Sequence, residues 1–202
     1  LKKAYKQGAK AIEWGQKWQK PGTSEGRYLR GVGMASQIWG GTGGPGNAVD
    51  VLLYSTGQVV VQAGTQDIGT GTRTILAMVV AEELGLETTD ILVKIGDTDY
   101  PKCGGSGGSM TAPSVCPAAR SGAMELKQQF LQLIGGHLQV APENLVIKHG
   151  KIAVKGDPAK SIDFVEAARH IGDAPLVAHG ERAPNPKGYA INSHGAQFAE
   201  VE

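Results

Sequence analysis

Apolar residues along the chain recur at two different spacings, which predicts a mixture of helices and strands. Spacings of three and four residues are typical of amphipathic helices. They predict four helices: a weak one over 1–19, one over 72–84 with Gly85 as its C-cap, one from between Ser114 and Pro117 to Ile134 that Gly135-Gly136 ends, and a short one after the natural N-cap Ser161.

Short apolar runs bounded by glycine and polar residues predict strands between these helices. The predicted strands cover residues 31–39, 48–55, 58–63, 91–95, 145–148, 151–154, 176–179 and 191–201. Two-residue turns at Thr56-Gly57 and His149-Gly150 predict β-hairpins. Hairpins mixed with long helices place the chain in the α+β class, with mixed and antiparallel sheets packed against the helices.

Two glycine-rich loops lie between predicted strands and predicted helices. The first, Gly64–Gly71, reads Gly-Thr-Gln-Asp-Ile-Gly-Thr-Gly, and the second, Cys103–Ser109, reads Cys-Gly-Gly-Ser-Gly-Gly-Ser. Glycine lets backbone N–H groups come close to a ligand, and a helix N-terminus attracts anions. The pair indicates a ligand with phosphate or many acceptor atoms. A third glycine-rich stretch, 40–46, lacks the Gly-Lys-Ser/Thr ending of a phosphate loop and is interpreted as a surface loop.

Composition and charge exclude several classes of protein. Lys and Arg number 20 and Asp and Glu 19, so the net charge of +1 gives no reason to expect nucleic acid or an anionic membrane as a partner. The apolar runs are too short to span a bilayer. The first residues, Leu1-Lys2-Lys3, precede no apolar signal segment, and a cytoplasmic location is predicted with the periplasm left open. The 30 glycines fit either many loops or a surface covered by other protein.

Single residues give little sign of metal or nucleophile chemistry. Cys103 and Cys116 form no Cys-x-x-C motif and have no His at ligand spacing, so no metal site is predicted in the chain. Cys103 is interpreted as a passive thiol. Asp97 and Asp99 are interpreted as a strand-end loop rather than as metal ligands. Gln66 and Asp67 each have two open roles, which are contact with a ligand and capping of the backbone turn.

Four segments resemble one family in their order and spacing. They are Gly-Thr-Gln-Asp-Ile-Gly-Thr-Gly-Thr-Arg-Thr at 64–74, Ala-Glu-Glu-Leu-Gly at 81–85, Gly-Asp-Thr at 96–98 and Gly-Ser-Gly-Gly-Ser at 105–109. They resemble the molybdopterin-binding subunit of the xanthine dehydrogenase/aldehyde oxidase family, and residues 195–202 resemble a later strand of the same domain. The resemblance implies that residues 1–202 are part of one molybdopterin-binding domain, with a helix and connector over 1–30 and the cofactor-binding region over 31–202.

The resemblance also implies the cofactor and the residues beside it. The cofactor is molybdopterin, in mononucleotide or dinucleotide form, and its own dithiolene holds the metal, so no protein metal ligand is expected. The residues implied as cofactor-binding are Gln66, Gly69, Thr70 and Gly71 of the first loop and Ser106, Gly107, Gly108 and Ser109 of the second. Many members carry Gln in place of Thr70, whose hydroxyl has a shorter reach.

By the same resemblance, the chain belongs to an enzyme that oxidises an aldehyde or hydroxylates an N-heterocycle, with iron–sulfur and FAD groups in partner domains or subunits. The family's catalytic Glu follows a Gly-x-Gly pattern, which Ala178-His179-Gly180-Glu181 does not match. We therefore expect no catalytic residue here, and an isolated chain that is inactive and part of a longer subunit. The alternative is a standalone, non-catalytic module that binds pterin or nucleotide. A purely structural subunit would leave both loops unexplained.

Overall fold

The computed structural model describes residues 1–41 and 43–202, so Thr42, in the glycine-rich stretch 40–46, lies outside the described residues. The helices are α1 (Lys2–Ala11), α2 (Trp14–Lys17), α3 (Thr72–Leu84), α4 (Thr111–Leu138) and α5 (Phe164–Ala168). The strands are β1 (Gly31–Trp39), β2 (Ala48–Leu53), β3 (Val59–Ala63), β4 (Ile91–Ile95), β5 (Leu145–Lys148), β6 (Lys151–Val154), β7 (Asp157–Asp163), β8 (Leu176–Glu181) and β9 (Ser193–Val201). These elements confirm the predicted α+β class.

The chain forms two compact units, one of which combines Leu1–Gly41 with Gly188–Glu202. In this first unit, β1 and β9 pair antiparallel along their whole length, and Trp14 of α2 meets Phe198 of β9 edge to face with ring centroids 6.0 Å apart. The second unit is Thr42–Lys187. It contains both glycine-rich loops. The assignment of all 202 residues to one domain stays a prediction.

The prediction of one helix over 1–19 is wrong, because the backbone leaves the helix between α1 and α2. Ile12 caps α1, and Glu13 adopts a left-handed conformation with φ of 58°. Neither helix has a fully buried residue. A helix with so little packing is held weakly, since tertiary contacts supply most helical stability in proteins. The apolar residues of 1–19 therefore do not form a face that is buried deeply enough to hold one continuous helix.

The second unit is built on a four-stranded sheet in the order β4-β3-β2-β8. Strands β3 and β4 are parallel and the other pairs antiparallel, and α3 provides the crossover that parallel neighbours require. One face of this sheet supplies fully buried side chains to a core shared with α3 and α4, namely Val49, Val51, Leu53, Val59, Val61 and Ala63. The predicted bounds of α3 and β4 are confirmed, as is the C-cap at Gly85, whose φ is 62°.

The hairpin of β2 and β3 is confirmed, but its predicted two-residue turn is wrong. Both strands are shorter than predicted, and the N–H of Tyr54 donates to the carbonyl of Gln58 at 3.0 Å. The N–H of Gly57 donates back to the carbonyl of Tyr54 at 2.9 Å, and Gly57 has a φ of 84°. This is a three-residue loop that ends in a left-handed glycine, a common alternative to the two-residue turn.

Helix α4 is longer at both ends than the sequence predicts. It begins at Thr111 and passes through Gly135-Gly136 before Gln139 ends it in a left-handed conformation. A Cβ on Gly135 would lie 2.6 Å from the carbonyl oxygen of Val140. Gly135 is therefore a site of close backbone packing. The predicted stop is wrong because the chain folds back onto this glycine one turn later.

A three-stranded antiparallel sheet in the order β5-β6-β7 completes the second unit. The hairpin of β5 and β6 is confirmed, with His149 and Gly150 both at positive φ. Strand β7 was missed, because its sequence Asp-Pro-Ala-Lys-Ser-Ile-Asp shows no apolar alternation. Ser161 lies within β7 opposite Ala153, so its predicted N-cap role is wrong, and Asp163 occupies that position before α5.

Strand β8 extends to Glu181 and β9 begins at Ser193, small changes from the predicted bounds. Among the described helices, none is long and apolar enough to cross a bilayer.

Candidate functional site

The first glycine-rich loop leads from β3 into α3 and is organised by the carboxylate of Asp67. Its Oδ1 accepts from the N–H of Gly69 at 2.9 Å and of Gly71 at 3.3 Å, and its Oδ2 accepts from the N–H of Arg73 at 3.1 Å. These donors, above all the Arg73 N–H and then the Gly69 N–H, lower the pKa of Asp67 below its usual range. Of the two roles left open for Asp67, the structure has it capping the backbone.

The N-terminus of α3 is already partnered by the carboxylate of Asp67. Gly71 is the N-cap residue, and it has no side chain with which to cap the helix. The carboxylate of Asp67 supplies the negative charge that this helix end favours. Exposed backbone around Gly69 and the exposed side chain of Thr70 then form the surface of the loop.

The two glycine-rich loops are joined directly at Gln66 and Ser106. The backbone N–H of Ser106 donates to Gln66 Oε1 at 3.0 Å, and the Ser106 hydroxyl donates to the backbone carbonyl of Gln66. The Gln66 side-chain amide also donates to the carbonyl of Gly64 at 3.1 Å. The structure therefore brings these two predicted site residues together and uses their polar side-chain atoms to connect the loops.

The tip of the second loop is exposed immediately before α4. Gly108 and Ser109 both have positive φ, of 59° and 58°, and the N–H of Met110 closes a turn on the carbonyl of Gly107 at 3.2 Å. Within residues 1–41 and 43–202, the N–H groups of Gly107 and Ser109 have no protein acceptor. No heavy atom lies within 4 Å of a Cβ placed on Gly107. Open space with backbone donors fits a ligand rich in acceptor atoms.

Two buried polar side chains near this loop were missed by sequence reasoning. Asn47 Oδ1 accepts from the N–H of Gly104 at 2.7 Å, and Thr65 Oγ1 donates to the carbonyl of Gly104 at 3.5 Å. Both side chains are at least nine-tenths buried. Their sequence positions, at the start of a strand and in a glycine-rich loop, resemble those of ordinary surface polar residues, so the sequence carries no signal for them.

Arg182 was also missed, although the sequence holds a clue to it. Pro117 lies inside α4 and has no N–H, so the carbonyl of Pro113 four residues earlier lacks its helical donor. Arg182 Nε donates to that carbonyl at 2.9 Å, and its guanidinium also donates to Asn185 Oδ1. A proline within a predicted helix thus marks a carbonyl that needs another partner.

Cys103 opens the second loop as a half-buried thiol. Its Sγ donates to the carbonyl of Ala48 at 3.1 Å, and burial raises the pKa of the Cys103 thiol. Asp97 accepts from the N–H of Asp99 at 3.0 Å, which confirms the strand-end turn.

A cavity of about 260 Å³ adjoins both loops where the parallel strands β3 and β4 end, and Gly64, Asp97, Lys102 and Cys103 are among its lining residues. In α/β sheets, the carboxyl ends of parallel strands are the usual place for ligands.

Searches among known proteins define the class to which this fold and site belong. Residues 7–202 match the family described as the molybdopterin cofactor-binding domain. The chain belongs to this family, as the four sequence segments had indicated.

Its relatives include the aldehyde oxidoreductase molybdenum-binding subunit PaoC of Escherichia coli (strain K12), which is 31% identical over 200 residues, 96% of this chain and 25% of that protein. The carbon monoxide dehydrogenase large chain of Afipia carboxidovorans (strain OM5) is 31% identical over 159 residues, 71% of this chain and 19% of that protein. The xanthine dehydrogenase molybdenum-binding subunit of Escherichia coli O157:H7 is 28% identical over 169 residues, 80% of this chain and 22% of that protein. The chain thus spans about a quarter of the length of these relatives, or less.

Solved structures share the fold. Quinoline 2-oxidoreductase from Pseudomonas putida 86 has a TM-score of 0.70 at 24% identity, covering 98% of this chain and 26% of that one. The reconstituted CO dehydrogenase from Oligotropha carboxidovorans also has a TM-score of 0.70 at 24% identity, covering 96% of this chain and 25% of that one.

Proposed function

We propose that this chain forms part of the molybdopterin site of a molybdenum-containing oxidoreductase that oxidises an aldehyde or hydroxylates an N-heterocycle. One observation carries the proposal. The two glycine-rich loops that resemble cofactor-binding segments are joined at Gln66 and Ser106, and the second loop presents exposed backbone donors beside that junction. Membership of the molybdopterin cofactor-binding family supports the same conclusion.

The predicted site residues divide into two roles in this proposal. The exposed residues Gly69 and Thr70 of the first loop and Gly107, Gly108 and Ser109 of the second contact the cofactor. Gln66, Gly71 and Ser106 shape the loops, through the Gln66–Ser106 junction and through the turn at Gly71 that opens α3. When bound, molybdopterin supplies the metal centre that exchanges oxygen and electrons with the substrate. The chain's own residues bind and orient it through short-range hydrogen bonds, which need no large net charge.

The activity belongs, in this proposal, to a longer subunit and its partners. The relatives are named as molybdenum-binding subunits and a large chain, and each is about four times the length spanned here, or more. We expect the catalytic Glu in a part of that length that these 202 residues do not span. We also expect iron–sulfur and FAD groups in partner domains or subunits, and no turnover by these residues alone. A cytoplasmic location stays a prediction.

The first test is the molybdenum and pterin content of the native assembly captured through this chain. Molybdenum is measured by mass spectrometry and the pterin by fluorescence after oxidation. We expect both in near-stoichiometric amounts. An intact assembly with neither would contradict the molybdenum proposal and leave the standalone binding module. Pterin without molybdenum and without turnover would also favour that module.

A matched pair of variants tests the placement of the cofactor against the second loop. Gly107 has no positive φ, and a Cβ there meets no atom within 4 Å, so Gly107→Val fills the space before the loop without straining its backbone. Gly172→Val is the control, because a Cβ on Gly172 also meets no atom within 4 Å, and this glycine lies in the connection between α5 and β8, outside both loops in the sequence. We expect loss of bound pterin in Gly107→Val alone. Normal pterin content in Gly107→Val would contradict the placement.

A further inference from the structure

We infer that Asn47 is a positioning residue that holds the second glycine-rich loop in place for the cofactor; the consequence for the cofactor rests on the proposed function. Asn47 immediately precedes β2 and is only 8% exposed. Its Oδ1 accepts from the N–H of Gly104 at 2.7 Å, and its Nδ2 donates to the carbonyl of Gly44 at 2.9 Å. Both ends of one buried amide are therefore used, and one of them fixes the loop.

Gly104 is held from a second direction by Thr65. The Thr65 side chain is fully buried, and its hydroxyl donates to the carbonyl of Gly104 at 3.5 Å. Two further contacts lie beside this point, since the carbonyl of Lys102 accepts from the N–H of Ala48 at 3.0 Å and the Cys103 thiol donates to the Ala48 carbonyl. The chain entering the loop is thus fixed to the start of β2.

Asn47 is also connected to the chain that leaves the loop. Its backbone carbonyl accepts from the N–H of Arg182 at 2.9 Å, and Arg182 Nε donates to the carbonyl of Pro113 in the first turn of α4. The exposed tip, Gly107–Ser109, lies between Gly104 and this turn. Asn47 therefore links both flanks of the tip, one directly and the other through Arg182.

The chemistry of this position requires an amide. Gly104 needs an acceptor and Gly44 a donor, and a single planar amide supplies both. Asn47→Asp keeps the acceptor but turns a carboxylate oxygen toward the carbonyl of Gly44. Asn47→Ala removes the acceptor of the Gly104 N–H and the donor to the Gly44 carbonyl, so two part-buried hydrogen bonds are lost together.

The test measures amide hydrogen exchange by mass spectrometry on the native assembly captured through this chain, together with its pterin content. In Asn47→Ala, the hydrogen-bonded amides of Gly104, Ser106 and Met110 should exchange about 5- to 30-fold faster, the factor that corresponds to one or two lost hydrogen bonds. Bound pterin should fall in the same variant. Asn47→Asp should give intermediate values for both, because it keeps the bond to Gly104. If Asn47→Ala does not fold, Asn47→Asp and Thr65→Val provide the same two measurements.

A matched control separates positioning from general stability. Ile152→Ala removes a fully buried side chain from the three-stranded sheet and should lower the free energy of unfolding without changing exchange at Gly104–Met110 or the pterin content of the folded protein. Unchanged loop exchange in the Asn47 variants would overturn the inference. So would faster loop exchange with wild-type pterin content. If the wild-type assembly binds no pterin but loop exchange is faster in the Asn47 variants, the proposed function is contradicted, whereas the contact between Asn47 and the loop is supported.

Discussion

Gly180 of β8 and Gly122 of α4 bring a strand and a helix into backbone contact. A Cβ on Gly180 would lie 2.3 Å from the backbone nitrogen of Gly122 and 2.1 Å from the carbonyl oxygen of Ala118. A Cβ on Gly122 would lie 3.3 Å from the nitrogen of Gly180, a less severe contact but still a tight one. Gly180, in the segment Ala178–Glu181 that does not match the family's catalytic pattern, is therefore a packing residue that seats α4 on the sheet.

This contact predicts that Gly180→Ala destabilises the protein by about 1–3 kcal/mol or more, because the added methyl group meets backbone atoms that cannot rotate away. Chemical denaturation measures the change in the free energy of unfolding. Gly136→Ala is the control, because Gly136 lies in α4 and no atom is within 4 Å of its Cβ. This substitution should be neutral or stabilising by about 0.5–1 kcal/mol. Similar effects of the two substitutions would contradict the packing role of Gly180.

A second prediction concerns the carbonyl that Pro117 leaves without a helical donor. Arg182→Ala should destabilise the protein, since the carbonyl of Pro113 loses the guanidinium N–H at 2.9 Å. Pro117→Ala restores a backbone N–H four residues after Pro113. In that background the same arginine substitution should cost less, with a coupling free energy of about 0.5 kcal/mol or more. A double-mutant cycle by denaturation measures it, and strictly additive effects would argue against this account of Arg182.

Local signals account for much of the fold. The bounds of α3 and β4 followed from apolar spacing, because one face of each packs into the core and the other does not. The passage of α4 through Gly135 did not follow, since it depends on the return of the chain at Val140. The break at Glu13 between α1 and α2 could not be predicted either, because neither helix buries a residue that would fix its length.

The candidate site divides in the same way between local and long-range information. Its loops were found from glycine content and from resemblance, both of which the sequence shows directly. The bonds that arrange them, from Gln66 to Ser106 and from Asn47 to Gly104, join residues 40 and 57 positions apart. No local pattern records such a pairing, and an asparagine before a strand looks the same in the sequence whether its side chain faces water or is buried against a distant loop.

The thiols carry a third prediction. Burial raises the pKa of both Cys103 and Cys116, so the reactive thiolate is less abundant at neutral pH than in an unfolded chain. Both cysteines are free in the structure and half-buried. We expect iodoacetamide to alkylate both more slowly in the folded protein than in urea, with the rate rising as the pH increases. Mass spectrometry of the modified peptides measures each site separately. Alkylation of Cys103 as fast as that of an unfolded peptide would show that this thiol is activated.

The last prediction concerns the pH dependence that Asp67 gives to the first loop. Backbone N–H groups, foremost that of Arg73, hold the pKa of Asp67 below its usual range in the folded protein. Its contribution to stability is therefore fully present above the ordinary carboxyl pKa of about 3.9 and is lost as the pH falls through the lower pKa of the folded state. Asp67→Asn keeps an acceptor oxygen but cannot ionise.

The free energy of unfolding should therefore differ most between wild type and Asp67→Asn at neutral pH, and the difference should shrink as the pH falls below about 4. Other carboxylates titrate in both proteins, so subtracting the two curves isolates Asp67. Amide exchange at Gly69, Gly71 and Arg73 provides a local measure, because these three N–H groups donate to the carboxylate. Their exchange should be faster in Asp67→Asn at neutral pH. A stability difference that does not change with pH would mean that Asp67 acts through its hydrogen-bond geometry alone and not through its charge.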